Sequence, residues 1–127
     1  MASPISRVDV VGIPSSDAER SRAFYIDTLG LRPDANSRYE FWAGDTCFAI
    51  WQPAQFGVEY QPQANSIVLL RVDDVPAARA ELEAKGVEFH GETFDTGVCH
   101  MANFADPDGN PLTLHKRYAP YKNEAQV

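Results

Sequence analysis

The segment FADPDGNPLTL at residues 104–114 places a tight turn between two apolar stretches. Its proline presets the first position of the turn, and its glycine supplies a positive φ that most residues avoid. We therefore predict a hairpin with a bulge that joins strands at 97–105 and 111–117. This turn accounts for Asp106 and Asp108 without an acid–base role.

The same order of elements occurs twice along the chain. Adding 57 to the number of Asp17 gives Asp74, and each of these is a predicted helix N-cap. Adding 56 to the number of Gly30 gives Gly86, and each glycine is a predicted helix stop. Each half thus reads as a strand, a capped helix and three further strands.

Apolar and polar patterning sets the predicted boundaries. In the first half, Ser16 and Glu19 fit a capping box at the start of the helix. Pro33 favours an edge position for its strand, and the apolar run 66–72 is typical of a strand covered on both faces. The predicted strands are 7–14, 31–36, 38–43, 46–52, 66–72, 87–90, 97–105 and 111–117.

These elements predict an α+β fold of two βαβββ modules. Neither half can cover both faces of its sheet, so we expect the halves to pair into a curved eight-stranded mixed sheet, with helices outside and a concave pocket. We assign residues 1–127 to a single domain, with module one at 7–52, a connecting loop at 53–65, module two at 66–117 and a polar tail at 118–127. The loop is either a linker between the two halves or a lid, and its two aromatic residues support the lid interpretation.

Composition narrows the function classes. Eighteen acids against eleven Lys and Arg give the 127 residues a net charge of -7, which disfavours nucleic acid and anionic membrane surfaces as partners. No apolar run approaches the roughly 18 residues of a membrane span, and the first residues contain no apolar export segment. Cys47 and Cys99 are too few for a disulfide framework. We therefore expect a cytoplasmic protein.

Three stretches together resemble the vicinal oxygen chelate superfamily, whose members include glyoxalases, extradiol ring-cleaving dioxygenases and bleomycin-sequestering proteins. They are residues 21–31 (SRAFYIDTLGL), 72–74 (VDD) and 104–114, in this order within a duplicated frame. The likeness covers about residues 7–117. It implies the paired-module fold, a small-molecule pocket and a homodimer.

The resemblance also implies a divalent metal held by a His or Gln on the first strand, a His or Gln on the fifth and a Glu on the last. The matching positions here hold Val10, Ile67 and Thr113. Two of these side chains have no lone pair, and a neutral Thr hydroxyl is a poor ligand. We therefore expect no metal and no cofactor; the alternative is a relocated Zn, Ni, Mn or Fe site near Glu40 and His115.

Strand parity predicts a ligand-binding face instead. Trp42 and Trp51 either stack on a planar guest or fill the pocket or a dimer interface. Arg71 either pairs with a carboxylate or phosphate or is an exposed charge, and His115 lines the pocket, ends an exposed strand or binds metal. The predicted ligand-binding residues are Glu40, Trp42, Cys47, Trp51, Arg71, Met101, Asn103, Thr113 and His115, with Val10, Gly12, Ala49, Ile67 and Leu69 on the same face.

The first functional hypothesis is a metal-independent protein that binds a small hydrophobic or aromatic molecule. The alternative is a lyase, isomerase or dioxygenase of the same fold with a relocated divalent metal or none. A third possibility is an interaction module whose tryptophans are covered by a partner chain. No catalytic residue can be assigned, because Cys47 has no identifiable neighbouring base.

Overall fold

We describe residues 3–120 of a computed structural model. The chain divides into two compact units, Met1–Pro62 and Gln63–Val127. The division falls inside the segment that the sequence predicts to be a linker or a lid. Within the described residues, neither helix is long and apolar enough to cross a membrane.

The first unit is a four-stranded mixed sheet with one helix. Its strands lie in the order β1-β4-β3-β2, and β1 runs parallel to β4 while the other pairs are antiparallel. The edge strand β2 contains Pro33, as predicted. The elements are β1 (Val10–Pro14), α1 (Ala18–Ala23), a π-helical turn (Phe24–Thr28), β2 (Arg32–Pro33), β3 (Glu40–Ala43), β4 (Thr46–Trp51) and a 3₁₀ turn (Pro53–Phe56).

The second unit repeats this topology. Its strands lie in the order β5-β8-β7-β6, with β5 parallel to β8. The predicted α+β fold of two βαβββ modules is therefore confirmed. The elements are β5 (Val68–Arg71), α2 (Val75–Ala84), β6 (Phe89–Asp95), β7 (Cys99–Ala105) and β8 (Pro111–Arg117).

Equivalent caps begin and end the two helices. Asp17 Oδ1 accepts a hydrogen bond from the backbone N–H of Arg20, and Asp74 Oδ1 accepts one from the N–H of the residue three positions on. Gly30 and Gly86 follow the helices with φ of 76° and 93°. A side chain would be strained there, so glycine fits both positions.

The predicted capping box is wrong. Asp17 rather than Ser16 is the N-cap, since the Asp17 side chain accepts a hydrogen bond from the backbone N–H of Arg20 in the first turn. Glu19 does not reach back toward the cap. Its carboxylate instead accepts hydrogen bonds from the guanidinium of Arg38 and the hydroxyl of Tyr39.

An aromatic stack forms the core of the first unit. The rings of Tyr25 and Phe41 are stacked at 4.7 Å between centroids, and those of Phe41 and Phe48 at 5.9 Å. All three side chains are buried. Because successive strand residues point to opposite faces, Glu40 and Trp42 point away from this core.

The core of the second unit lies between α2 and its sheet. Val75 of α2 is buried, as are Phe104, Leu112 and Leu114 of the strands. The turn that joins β7 to β8 is held by Asp106, whose carboxylate accepts hydrogen bonds from two backbone N–H groups and one side-chain amide. The predicted turn role of this residue is confirmed.

The predictions for two strands, β6 and β5, differ from the structure. Strand β6 continues to Asp95 rather than ending at His90, because Gly91 adopts a φ of 76° and the strand resumes beyond a bulge. Within residues 3–120, strand β5 is not covered on both faces. It lies at the edge of its sheet, and Ile67 and Leu69 nearby are 54% and 42% exposed.

The predicted polar tail begins in an ordered way. The backbone N–H groups of Tyr118 and Ala119 both donate to the carbonyl oxygen of Val98. The tyrosine hydroxyl also donates to Asp95. The remainder of the predicted tail, residues 121–127, lies outside the described residues.

Candidate functional site

The first open face is the side of the first sheet opposite Tyr25. Strand pairing places Cys47 between Val10 and Trp42, and places Ala49 between Gly12 and Glu40. Trp51 follows on the same face of β4. The structure thus brings together four predicted ligand-binding residues on one sheet: Glu40, Trp42, Cys47 and Trp51.

Trp42 is held in place by two neighbours. Its indole N–H donates to Asp34 Oδ1 at 2.9 Å, and the guanidinium of Arg32 lies over its ring at 5.8 Å from the centroid. The indole N–H is the main cause that lowers the pKa of Asp34, with the backbone N–H of Asn36 next. Neither neighbour was among the predicted site residues, although Arg32 lies opposite Trp42 in the register of β2 and β3.

Trp51 has a different environment. Its side chain is exposed, and its ring meets that of Phe56 edge-on with centroids 6.1 Å apart. A Cβ built on Gly12 would lie 3.5 Å from the indole Cδ1 and Nε1 atoms. The indole therefore lies against the backbone of β1, beside the first turn of the segment predicted to be a linker or a lid.

Cys47 and Glu40 interact directly. The thiol donates to Glu40 Oε1 at 3.4 Å. Burial is the largest cause that raises the pKa of this thiol to about 11, and the nearby Glu40 carboxylate adds to it. Because only the thiolate is a good nucleophile, this environment suppresses nucleophilic chemistry at neutral pH.

The second open face is the side of the second sheet opposite α2. Arg79 of α2 lies over the ring of Phe89, which pairs with the buried Phe104 and so marks the helical side. The predicted ligand-binding residues of this unit lie on the other side: Arg71, Met101, Asn103, Thr113 and His115.

One row of this second face is polar and fixed. The Thr113 hydroxyl donates to Asn103 Oδ1 at 2.8 Å, and the Thr113 side chain is buried. Strand pairing puts Leu69 on one side of Thr113 and His90 beyond Asn103. His90 is exposed and was not among the predicted residues, because its strand was predicted to end there.

The other row of the second face begins with Arg71. Strand pairing continues from Arg71 to His115, Met101 and Phe94. Phe94 was missed because it lies beyond the bulge in β6. Among residues 3–120, neither the guanidinium of Arg71 nor the imidazole of His115 has a hydrogen-bond or ion-pair partner, so both side chains can reach a ligand.

The positions implied to hold a metal do not suit one. Val10 and Ile67 are exposed apolar side chains, and the Thr113 hydroxyl is already hydrogen-bonded to Asn103. A divalent ion needs converging lone pairs, which two of these three side chains lack. The described part of the chain contains no group of three or more His, Cys, Asp or Glu residues placed to hold a metal ion.

Comparison with protein families gives a match over most of the chain. The model of the Glyoxalase/Bleomycin resistance protein/Dioxygenase superfamily matches residues 7–114. No curated protein matches the chain.

Several solved structures are similar. TnmS3, an antibiotic binding protein from Streptomyces sp. CB03234, is 30% identical, with 91% of this chain and 99% of that chain covered and a TM-score of 0.68. A glyoxalase/bleomycin resistance protein from the same Streptomyces is 29% identical, with 85% and 98% covered and a TM-score of 0.59. A glyoxalase/bleomycin resistance protein/dioxygenase from Nocardioides is 17% identical, with 94% and 92% covered and a TM-score of 0.75, and shows the shared fold alone.

Proposed function

Since this chain belongs to the glyoxalase/bleomycin resistance protein/dioxygenase superfamily, we propose that it is a binding protein for a small, partly aromatic molecule. The guest contacts the first open face and is held without a metal ion. TnmS3, which is an antibiotic binding protein, supports a function of this kind.

The observation that carries this proposal is the pair of tryptophans on the first open face. Indole rings offer a large flat surface for a planar guest, and stacked aromatic pairs gain about 0.5–1.5 kcal/mol beyond the burial of their area. Trp51 is 38% exposed on this face. Glu40 lies close by and can orient a polar group of the guest.

The residues at the implied metal positions support metal independence. Val10 and Ile67 cannot donate a lone pair to any ion, whatever the metal. Cys47 is protonated at neutral pH, because the pKa of its thiol is raised to about 11. Capture of the guest by shape and stacking fits these side chains better than metal-assisted or thiolate chemistry.

We also propose a cytoplasmic homodimer. Ile67 and Leu69 are exposed apolar side chains at an edge strand, where a second copy of the chain can cover them. Cys47 and Cys99 are both free and buried, which suits a reducing compartment. Sedimentation of the purified protein would test the dimer directly.

The test is a binding screen in the presence of a chelator. Purified protein is mixed with a panel of planar aromatic compounds and EDTA, and thermal shift and tryptophan emission are recorded. We expect some compounds to raise the Tm and to change the emission, since a ligand that binds only the folded state stabilises it. The proposal fails if no compound changes either signal, or if every change disappears when EDTA is added.

Matched variants locate the guest on one face or the other. Trp51→Ala should weaken binding on the first open face, whereas Val58→Ala, an exposed change in the segment that follows β4, should not. Arg71→Ala tests the second open face separately, and it should weaken binding only of guests that carry an anionic group. Loss of affinity with Val58→Ala as large as with Trp51→Ala would contradict the assignment.

Elemental analysis separates this proposal from the enzyme hypothesis. Protein purified without an affinity tag should contain no stoichiometric divalent metal. A full equivalent of Zn, Ni, Mn or Fe would instead favour a lyase, isomerase or dioxygenase with a relocated site.

A further inference from the structure

We propose that Trp51, rather than Trp42, is the ring on which the guest stacks, and that Gly12 is the residue that positions it. This inference rests on the proposed function and names the aromatic subsite within it. It concerns only the first open face.

Trp42 is already engaged by the protein. Its N–H donates to Asp34, and the guanidinium of Arg32 lies over one side of its ring. A guest that stacked on that side of the ring would displace a cation–π contact, and the indole N–H is already donated to Asp34. Trp42 is therefore better suited to shaping the sheet surface than to receiving a ligand.

Trp51 lies with one edge of its ring near Gly12 and meets the ring of Phe56. Its ring is exposed, the Phe56 ring meets it at 60°, and Phe56 is itself 72% exposed. Among residues 3–120, nothing accepts a hydrogen bond from the Trp51 N–H. A planar guest can thus stack on the indole and meet the edge of Phe56 together, which is the arrangement that aromatic groups prefer.

Gly12 makes room for this position of the indole. Its φ is not positive, so the backbone conformation does not require glycine. Valine or isoleucine would favour a strand more strongly, and an interior glycine often marks a close approach. The Cβ of an alanine would meet the indole at 3.5 Å, which is ordinary contact, whereas we expect the extra methyl groups of a valine to displace the ring.

Trp51 can be observed by itself in a Trp42→Phe background, since the chain has two tryptophans. Gly12→Val should shift the Trp51 emission to the red and increase its quenching by acrylamide, because the ring loses its contact with β1. Gly12→Ala should leave both signals close to those of the parent, because its Cβ makes only ordinary contact with the indole. Near-identical emission and quenching in all three proteins would overturn the positioning role of Gly12, whatever the binding results.

Binding is then measured with 1-anilinonaphthalene-8-sulfonate, an aromatic probe whose fluorescence rises when it binds, in proteins shown by circular dichroism to be folded. Gly12→Val and Phe56→Ala should each raise the Kd of the probe about two- to tenfold, the range that corresponds to one aromatic contact. Phe56→Ala changes an exposed turn and so keeps the test available if Gly12→Val does not fold. Val58→Ala is its matched control, and its Kd should stay within about twofold of that of the parent protein.

The outcomes separate the inference from the proposed function. If the probe binds and its Kd rises with Trp42→Phe but not with Trp51→Phe, guest binding stands and the choice of Trp51 is overturned. If the emission of Trp51 responds to Gly12→Val while probe affinity does not, Gly12 positions the ring but the subsite is refuted. If the chelator-treated parent protein binds neither this probe nor any compound of the panel, both the inference and the proposed function fail.

Discussion

Replacing Glu40 with Gln should lower the pKa of the Cys47 thiol. This pKa is raised to about 11 from an ordinary value of 9.0, first by burial and then by the carboxylate that accepts the thiol hydrogen. At pH 9 an ordinary thiol is half ionised, whereas Cys47 should be only about 1% ionised. Removing the negative charge leaves burial as the main cause, so the pKa of the variant should lie between these two values.

The assay is a pH titration in which NMR records the Cβ chemical shifts of protein labelled with ¹³C at the cysteine Cβ. The Cβ chemical shift reports ionisation at each cysteine, and a Cys47→Ser sample assigns the signals. Glu59→Gln is the control, since it makes the same change of charge at an exposed position with no hydrogen bond to the thiol. A titration of Cys47 near or below its ordinary pKa in the folded parent protein would refute the reasoning.

This shift has a consequence for stability, and its sign follows from linkage. The folded state holds the thiol proton more tightly than the unfolded state does, so the contribution is fully present below pH 9. It is lost as the pH rises from 9 through about 11. Urea unfolding across this window should show the loss in the parent protein and a smaller loss in Glu40→Gln.

Three further predictions follow from contacts within single units. Phe41→Ala, at a residue with no exposed surface, should lower the free energy of unfolding by about 3–5 kcal/mol in urea titrations, whereas Phe56→Ala, at an exposed ring, should change it by less than about 0.5 kcal/mol. Asp106→Ala leaves three hydrogen-bond donors of the turn without their acceptor, and it should lower the free energy of unfolding by about 3 kcal/mol in urea titrations. An unchanged urea midpoint would contradict the role of this carboxylate. Asp95→Asn should lower the pKa of Tyr118, because the Asp95 carboxylate accepts the hydroxyl hydrogen and so raises this pKa. The pKa is measured from phenolate absorbance as the pH rises, after subtraction of the same titration of Tyr118→Phe.

Local signals explain why the fold could be predicted from the sequence. Asp17 and Asp74 satisfy free amides within their own first turns, and Gly30 and Gly86 adopt backbone angles that few other residues accept. These requirements act over a few residues, so the sequence alone shows them. Their repetition at nearly constant spacing then indicates two equivalent modules.

The failures arose where a nearby competitor or a distant contact decides the structure. Ser16 and Asp17 can both cap a helix, and only the backbone geometry selects the aspartate. Strand β6 crosses a bulge at Gly91, and a glycine in the middle of a polar segment is read as a turn rather than as an interruption within a strand. The alternation of apolar and polar residues in the sequence indicates neither the choice of Asp17 as the cap nor the continuation of β6 through Gly91.

The candidate site could likewise be predicted only in part from the sequence. Strand alternation correctly grouped Glu40, Trp42, Cys47 and Trp51 on one face, because a period of two fixes which way a strand residue points. It did not distinguish the two tryptophans. Their difference comes from Asp34 and from the missing side chain of Gly12, which are brought in by neighbouring strands.

The π-helical turn at Phe24–Thr28 bears on how the two halves can differ in length. The terminal glycine follows the N-cap aspartate by 13 residues in the first half and by 12 in the second. The N–H of Leu29 bonds to the carbonyl of Phe24, five residues back, so this wide loop of backbone takes up one extra amino acid. An insertion or deletion of one residue at this point can therefore be absorbed inside the helix. The two halves can thus differ in length while both keep the strand register that a binding surface requires.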